Sequence, residues 1–208
     1  MPSKYRLRYI FKPLVKLVAK GLIKIRVSPN LATAIMVCFS ILSCISIGFY
    51  QNLLLFSILV FITGIMDGCD GAIARLTNKS TKFGGYFDSV MDRISEFFIF
   101  LGLYIYNQNQ FLWDKIDMKL IIFIIFLASI MISYSRARAE NFFKGDFDIG
   151  LMARSERLFY LVITMIISFF WNFDQEFLFL FMWLVLGTFI FRIVKIYNLI
   201  KKEGIIIF

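Results

Sequence analysis

The stretch Met66–Glu96, MDGCDGAIARLTNKSTKFGGYFDSVMDRISE, carries acidic residues at helical spacing on both sides of a short basic turn, LTNKSTKF. The four aspartates are Asp67, Asp70, Asp88 and Asp92. Residues three or four positions apart lie on one face of a helix. The pattern therefore predicts two neighbouring helices that point all four carboxylates at one spot.

The composition indicates that lipid surrounds most of these helices. Of 208 residues, 60% are hydrophobic and 26 are phenylalanine, and the mean hydropathy is +0.77. Soluble domains are usually about 45–50% apolar. Only three prolines interrupt the chain and strand-like alternation is absent, which disfavours a β-barrel. There is no histidine, which excludes imidazole as a base, nucleophile or metal ligand.

Apolar runs predict six membrane spans. They cover about 31–50, 52–66, 97–106, 120–134, 158–171 and 177–191. A helix needs about 20 residues to cross a membrane, and several runs are shorter. The second, third and fourth helices must therefore continue into Met66–Leu76, Phe83–Glu96 and Ser135–Phe143. The aspartates then lie at helix ends on one membrane face.

Basic residues assign that face to the cytoplasm. Apart from Lys115 and Lys119, all of the 23 lysines and arginines lie near the termini or in the regions after the second and fourth spans. By the positive-inside rule, both termini and the polar segments are cytoplasmic. The net charge of +9 then faces anionic headgroups. No nucleic-acid-binding module is recognisable, so nucleic acid is not an expected partner.

The N-terminal segment alternates apolar and basic positions at helical spacing, with Lys12, Lys16 and Lys20 on one face, as in helices that lie on a membrane surface.

The sequence thus predicts an all-α integral membrane protein of the cell membrane. Residues 1–28 form an amphipathic interfacial helix, residues 29–202 form a domain of six transmembrane helices, and residues 203–208 form a short tail.

Four carboxylates at one membrane depth need compensation, because each charge at mid-membrane costs about 2.5–3.5 kcal/mol. Mg²⁺ and Mn²⁺ prefer carboxylate and phosphate oxygens. Four aspartates suit two such ions in a phosphoryl-transfer site. Alternatives are ion pairs with Arg75 and Arg93, a divalent-cation transporter that uses the same acids, and a non-catalytic membrane scaffold.

The motif Asp67-x-x-Asp70-Gly71-x-x-Ala74-Arg75, followed after eight residues by Gly84-x-x-x-Asp88-x-x-x-Asp92, resembles the signature of the CDP-alcohol phosphotransferase family. Every position of that signature matches. The resemblance implies transfer of a phosphatidyl-type group from a CDP-activated lipid to an alcohol, with release of CMP. It also implies a homodimer.

The resemblance further implies roles for individual residues. Asp67, Asp70 and Asp88 would bind two ions of Mg²⁺ or Mn²⁺, and Asp92 would complete the second ion's site and act as base on the acceptor hydroxyl. The implied CDP-binding residues are Asn30, Thr33, Asp67, Gly71, Ala74, Arg75 and Gly84. For Asn30 and Thr33 the alternative is helix capping, with Asn30 as the N-cap.

A second polar cluster lies in residues 133–158. Its candidate acceptor-binding residues are Arg136, Arg138, Arg154 and Arg157. The alternative is ordinary positive-inside flanking, but interleaved Glu140 and Glu156 favour a fixed constellation. Converging arginines bind phosphate well, which predicts a phosphorylated acceptor.

Subgroup features point to one acceptor. SYSRARAE, RSERL and FDSVMDRISE resemble segments of phosphatidylinositol-phosphate synthases and their archaeal counterparts. The implied acceptor is 1L-myo-inositol 1-phosphate. The alternative acceptor is glycerol 3-phosphate, as in phosphatidylglycerol-phosphate synthases. The expected donor is CDP-diacylglycerol or CDP-archaeol, which the sequence does not distinguish.

Overall fold

The computed structural model describes residues 7–142, 147 and 150–202. The helices are α1 (Leu7–Ile10), α2 (Lys12–Lys24), α3 (Pro29–Gly48), α4 (Leu53–Leu76), α5 (Lys82–Tyr106), α6 (Met118–Phe142), α7 (Arg154–Trp171) and α8 (Asp174–Lys202). A two-residue antiparallel ladder, β1 (Phe111–Leu112) with β2 (Ile116–Asp117), interrupts the loop between α5 and α6. The all-α prediction is confirmed apart from this small hairpin.

Within the described residues, four helices are long and apolar enough to cross a membrane, namely α3, α4, α6 and α8. The predicted third and fifth spans, α5 and α7, are not among them. Charged residues interrupt the apolar sequence of both helices: Asp92 and Glu96 lie near the middle of α5, and Arg154 and Arg157 lie at the start of α7. That the chain crosses the membrane six times therefore stays a prediction.

The helix ends around the acidic motif are as predicted. α4 continues to Leu76 and α6 to Phe142, while α5 already begins at Lys82. The Thr81 hydroxyl caps α5 by accepting a hydrogen bond from the Gly84 amide at 2.9 Å. Polar sequence thus extends the apolar spans as helix, which places the motif at the ends of α4 and α5.

Asn30 is not the N-cap of α3, so that alternative was wrong. The Ser28 hydroxyl accepts a hydrogen bond from the Leu31 amide at 3.3 Å. Pro29 follows as the first helical residue, a position that suits proline because its missing N–H would be unsatisfied there anyway. Asn30 consequently lies in the first turn of α3, with an exposed side chain.

The N-terminal segment is two helices instead of the one helix predicted for residues 1–28. The chain bends at Phe11, just before Pro13 in the first turn of α2, since proline cannot continue a preceding helix. Residues 1–6 and 203–208 of the predicted terminal segments lie outside the described residues.

The helix α2 packs on the polar end of α4. A Cβ atom at Gly68 would lie 3.1 Å from the Val15 side chain, and the Cys69 thiol donates to the Val15 carbonyl at 3.7 Å. The amphipathic helix therefore closes one side of the acidic motif.

Two buried clusters hold the bundle together. The larger cluster includes Phe56, Ile99, Leu161 and Phe181, and joins all of the helices from α3 to α8. The smaller cluster joins α2, α3 and α4. Large apolar side chains such as Trp183 remain exposed on the outer helix faces, as expected where lipid is the solvent.

Candidate active site

Three of the predicted aspartates converge. Asp67 on α4 and Asp88 and Asp92 on α5 each present a carboxylate oxygen, and these oxygens all lie within 4.8 Å of one another. Oδ1 of Asp88 is buried without a hydrogen-bond partner among the described residues, and Oδ1 of Asp92 is buried with an arginine as its only close partner among them. Clustered carboxylate oxygens with spare acceptor capacity are what a hard divalent cation requires, so these residues fit the predicted metal.

Asp70 lies at the edge of this group. It is only 5% exposed, and its carboxyl group lies beside that of Asp88. Thr33 donates to Asp70 Oδ2 at 2.8 Å, and the Gly71 amide donates to Asp70 Oδ1 at 2.5 Å. These two hydrogen bonds hold the carboxylate in one orientation. Metal binding by Asp70 and CDP binding by Thr33 stay predictions.

The remaining predicted CDP-binding residues lie around the same helix ends. The Arg75 side chain covers Gly71, where an added Cβ would lie 3.2 Å from Arg75 Nη1. A Cβ at Gly84 would lie 3.6 Å from Asn30 Oδ1, so the starts of α3 and α5 are close together. Ala74 is half-buried, one turn after Asp70. Their contact with CDP stays a prediction.

Arg154 contacts the acidic cluster directly. Its Nη1 donates to Asp67 Oδ1 and lies 2.5 Å from Asp92 Oδ1. Among the arginines expected to pair with the aspartates, Arg93 reaches Asp92 Oδ2 at 3.6 Å, whereas Arg75 forms no ion pair within the part of the chain that the structure describes. Arg154 was expected instead to bind the acceptor. Its pairing follows from the packing of α7 against α4.

Arg157 fixes the start of α7 on α5. Its Nε and Nη2 donate to Glu96 Oε1 at 3.1 and 2.8 Å, and its Nη1 donates to the Met152 carbonyl at 3.1 Å. Arg157 and Glu96 are only 1% and 2% exposed. The guanidinium thus ties the two helices together near the aspartates. Its predicted contact with the acceptor phosphate stays a prediction.

An arginine-rich cavity of about 340 Å³ opens beside the cluster, between α5, α6, α7 and α8. Its arginines are Arg93, Arg136, Arg154, Arg157 and Arg192. Glu140 lies on the same wall and accepts from Arg136 Nε at 2.7 Å. Positive charge therefore dominates this cavity, which suits a phosphate.

The arginines that line the cavity differ from the four predicted to bind the acceptor: Arg138 is not among them, and Arg192 is an addition. Arg138 is not among the residues lining the cavity and its side chain is exposed, because two positions rotate a helix by about 200° relative to Arg136. Arg192 is a lining residue that sequence reasoning assigned to the basic C-terminal end. It is 2% exposed and donates from Nη1 to the Ile132 carbonyl at 2.9 Å. Its position within an apolar run was the signal for a functional charge.

A second cavity, of about 480 Å³, lies on the other side of Asp67, between α1, α2, α4 and α7. Most of its wall is apolar, including Phe11, Val60, Phe61 and Leu158. Lys12, Asp67 and Arg75 supply charged lining. Asp67 and Ser155 line both cavities, so the acidic cluster lies where an apolar and a cationic cavity meet.

Membrane-length helices and a carboxylate cluster between these two cavities define a helical membrane protein with a site suited to metal-dependent chemistry. Residues 26–194 match the family described as CDP-alcohol phosphatidyltransferase, and the chain belongs to that family. The protein is accordingly a CDP-alcohol phosphotransferase, a transferase of phospholipid biosynthesis.

Relatives with assigned activities share most of the chain. The archaetidylinositol phosphate synthase of Pyrococcus horikoshii is 35% identical over 165 residues, which are 79% of this chain and 81% of that protein. The phosphatidylinositol phosphate synthase of Mycobacterium tuberculosis is 30% identical over 164 residues, 76% of this chain and 70% of the relative.

Solved structures share the fold. The crystal structure of Mycobacterium tuberculosis phosphatidylinositol phosphate synthase with CDP-DAG bound superposes with a TM-score of 0.77 at 24% identity, covering 89% of this chain and 94% of the other. The same enzyme in complex with manganese and citrate also has a TM-score of 0.77, with 88% of each chain covered.

Proposed function

We propose that this enzyme transfers the phosphatidyl-type group of a CDP-lipid, CDP-diacylglycerol or CDP-archaeol, to 1L-myo-inositol 1-phosphate and releases CMP. One observation carries this proposal: the acidic cluster adjoins both an apolar cavity and an arginine-rich cavity through Asp67. A reaction between a lipid and a soluble phosphate ester needs an apolar surface for the lipid and a cationic surface for the phosphate.

The apolar cavity is the proposed donor side. Phe61, Leu158 and Phe159 provide wall area for a lipid, whereas Lys12 and Arg75 supply positive charge for the diphosphate. Charge-assisted hydrogen bonds from arginine to phosphate are strong and directional. The structural relative with CDP-DAG bound supports this assignment of the donor.

The arginine-rich cavity is the proposed acceptor side. Arg136 and Arg192 lie on walls that do not include the acidic cluster, so they can hold the acceptor's own phosphate while its hydroxyl faces Asp92. The Pyrococcus horikoshii and Mycobacterium tuberculosis relatives are an archaetidylinositol and a phosphatidylinositol phosphate synthase, which supports inositol 1-phosphate over glycerol 3-phosphate.

We propose that Asp67, Asp70, Asp88 and Asp92 hold two ions of Mg²⁺ or Mn²⁺, and a manganese complex of the structural relative supports such an ion. Bound divalent ions neutralise the carboxylates and stabilise charge developing on the diphosphate. Asp92 accepts the proton of the acceptor hydroxyl. The hydroxyl oxygen forms the new bond to the lipid-bearing phosphorus, and the bond from that phosphorus to CMP breaks.

The membrane arrangement is part of the proposal. α5 and α7 cross together with α3, α4, α6 and α8, giving six spans in residues 29–202. The basic ends then face the cytoplasm, where soluble inositol phosphate and CDP-lipid meet. The segment 1–28 lies at that interface, 203–208 form a short tail, and the enzyme acts as a homodimer in the cell membrane.

The test is CMP release by purified full-length protein in nanodiscs with Mn²⁺ or Mg²⁺. Each donor is combined with inositol 1-phosphate, glycerol 3-phosphate, free inositol or serine. We expect metal-dependent CMP release with inositol 1-phosphate. Preference for an unphosphorylated alcohol would overturn the acceptor assignment, and metal uptake into proteoliposomes without CMP release would favour a cation transporter.

A further inference from the structure

The position of Arg154 links the acidic cluster to the arginine-rich cavity. Its Nη1 contacts the carboxylates of Asp67 and Asp92, which come from different helices. The same side chain lines the arginine-rich cavity. Its Nε is buried without a hydrogen-bond partner among the described residues. Its Nη2 donates to Met36 Sδ at 3.8 Å, and a thioether sulfur is a weak acceptor. The guanidinium thus has carboxylate partners on Nη1 and donor capacity left on Nε and Nη2.

The backbone that carries Arg154 is well anchored. Arg157, one turn further along α7, is held by Glu96 on α5 and by the Met152 carbonyl. Rotation of the long side chain of Arg154 is therefore the simplest way for it to change partners.

A guanidinium and a divalent cation compete for the same carboxylate oxygens. Both are positive, and like charges at a few ångströms repel strongly away from bulk water. Asp67 and Asp92 are two of the three aspartates whose oxygens converge. An ion bound there would displace the guanidinium, and the arginine-rich cavity is the adjoining space that Arg154 already lines.

We infer that Arg154 exchanges partners during the reaction cycle. It neutralises Asp67 and Asp92 before a divalent ion binds, and it then turns into the arginine-rich cavity to bind the acceptor phosphate. The second step rests on the proposed function. Because coupling between two ligands is reciprocal, metal binding strengthens phosphate binding, and phosphate binding strengthens metal binding to the same extent.

The first test measures Mn²⁺ affinity, by electron paramagnetic resonance of free Mn²⁺, on full-length protein in detergent. Arg154→Gln removes the competing cation, and we expect the Mn²⁺ dissociation constant to fall about 10- to 100-fold, the equivalent of one charged hydrogen-bonded contact. Arg154→Lys keeps the charge and should stay within about threefold of the wild type.

Arg93→Gln is the matched control, because Arg93 is also a cation beside Asp92 but lies 3.6 Å from it and, among the described residues, forms no ion pair with Asp67. We expect it to tighten Mn²⁺ binding by less than about threefold, as for a weak, partly exposed ion pair. Equal effects of Arg93→Gln and Arg154→Gln would overturn the inference, since they would reflect net charge alone.

The second test measures inositol 1-phosphate binding by calorimetry with and without Mn²⁺. In the wild type we expect Mn²⁺ to tighten this binding. The enhancement is the ratio of the inositol 1-phosphate affinity with Mn²⁺ to the affinity without it. In Arg154→Gln this ratio should fall towards one. Arg136→Gln should weaken inositol 1-phosphate binding but keep the ratio of the wild type. An unchanged enhancement in Arg154→Gln overturns the inference, while a wild type that does not bind Mn²⁺ overturns the metal site of the proposed function instead.

Discussion

The two cavities beside the acidic cluster are built in different ways. The apolar cavity is lined mainly by side chains such as Phe61, Leu158 and Val162, and similar apolar residues can replace one another with modest cost. The arginine-rich cavity depends on charges that hold one another in place, as Arg157 and Glu96 do. The apolar cavity therefore tolerates changes in side-chain identity, whereas the arginine-rich cavity depends on specific ion-pair partners.

Substitutions in the acidic cluster, where the two cavities meet, should reduce turnover most strongly. Asp92→Asn keeps the shape of the side chain but removes a charge needed for a metal ion and for proton transfer. Losing such transition-state stabilisation, about 4 kcal/mol, corresponds to about a 10³-fold fall in kcat. The measurement is CMP release with both substrates saturating.

Asp117→Asn is the matched control for this substitution, because Asp117 lies in the small hairpin between α5 and α6 and contacts Lys119. We expect it to leave kcat within about twofold of the wild type, as for most surface changes. Near-normal turnover of Asp92→Asn would contradict the assignment of this aspartate.

The buried and exposed ion pairs of the cationic side should differ in their effect on stability. Glu96→Ala leaves the Arg157 guanidinium buried without its carboxylate, which should cost about 3–5 kcal/mol of unfolding free energy. Glu140→Ala breaks a pair whose side chains are 38% and 40% exposed, and should cost about 0.3–0.5 kcal/mol. Chemical denaturation in detergent measures both values, and equal losses would show that burial does not distinguish the pairs.

Acceptor binding should depend on the arginines that line the cavity and not on those outside it. Arg136→Gln removes a charge-assisted contact, so the KM for inositol 1-phosphate should rise about 10-fold, with the KM for CDP-lipid unchanged. Arg138→Gln removes the same charge two positions away, on the exposed side of α6, and should leave both constants nearly unchanged. Steady-state kinetics with each substrate varied in turn test this expectation, which fails if both variants behave alike.

Much of the fold was predictable, because lipid imposes simple requirements. The short apolar runs had to be extended into polar sequence to reach crossing length, and α4 does continue to Leu76. The convergence of Asp67, Asp88 and Asp92 followed from helical spacing on both sides of one short turn.

Other features depended on packing that the sequence does not encode locally. Arg154 lies 87 positions from Asp67, and their contact arises only because α7 packs on α4. Composition groups Arg192 with the basic C-terminal end. Its position within an apolar run was a signal for a separate role, but its contact with Ile132 depends on the packing of α8 on α6. The cap of α3 was within reach, because Pro29 favours the first helical position and so makes Ser28 the cap.

The apolar cavity should show the smallest effects, and Gly64 tests it most directly. A Cβ at Gly64 would lie 3.8 Å from Leu158 Cδ1, an ordinary contact, so Gly64→Ala should be tolerated. Gly64→Leu extends further into the cavity and should exclude part of a lipid. Losing contact with one methylene group, at about 0.8 kcal/mol, raises the KM for CDP-lipid about 4-fold.

The two variants at Gly64 separate cavity volume from helix packing. If the apolar cavity holds the donor, Gly64→Leu should leave the KM for the acceptor unchanged and should impair short-chain CDP-lipids less than long-chain ones. Equal impairment for both chain lengths would place the lipid elsewhere. Gly68→Ala is the contrasting case on the same helix: its Cβ would press on Val15 at 3.1 Å, so its effect should appear as loosened packing of α2, with no dependence on the length of the lipid chain.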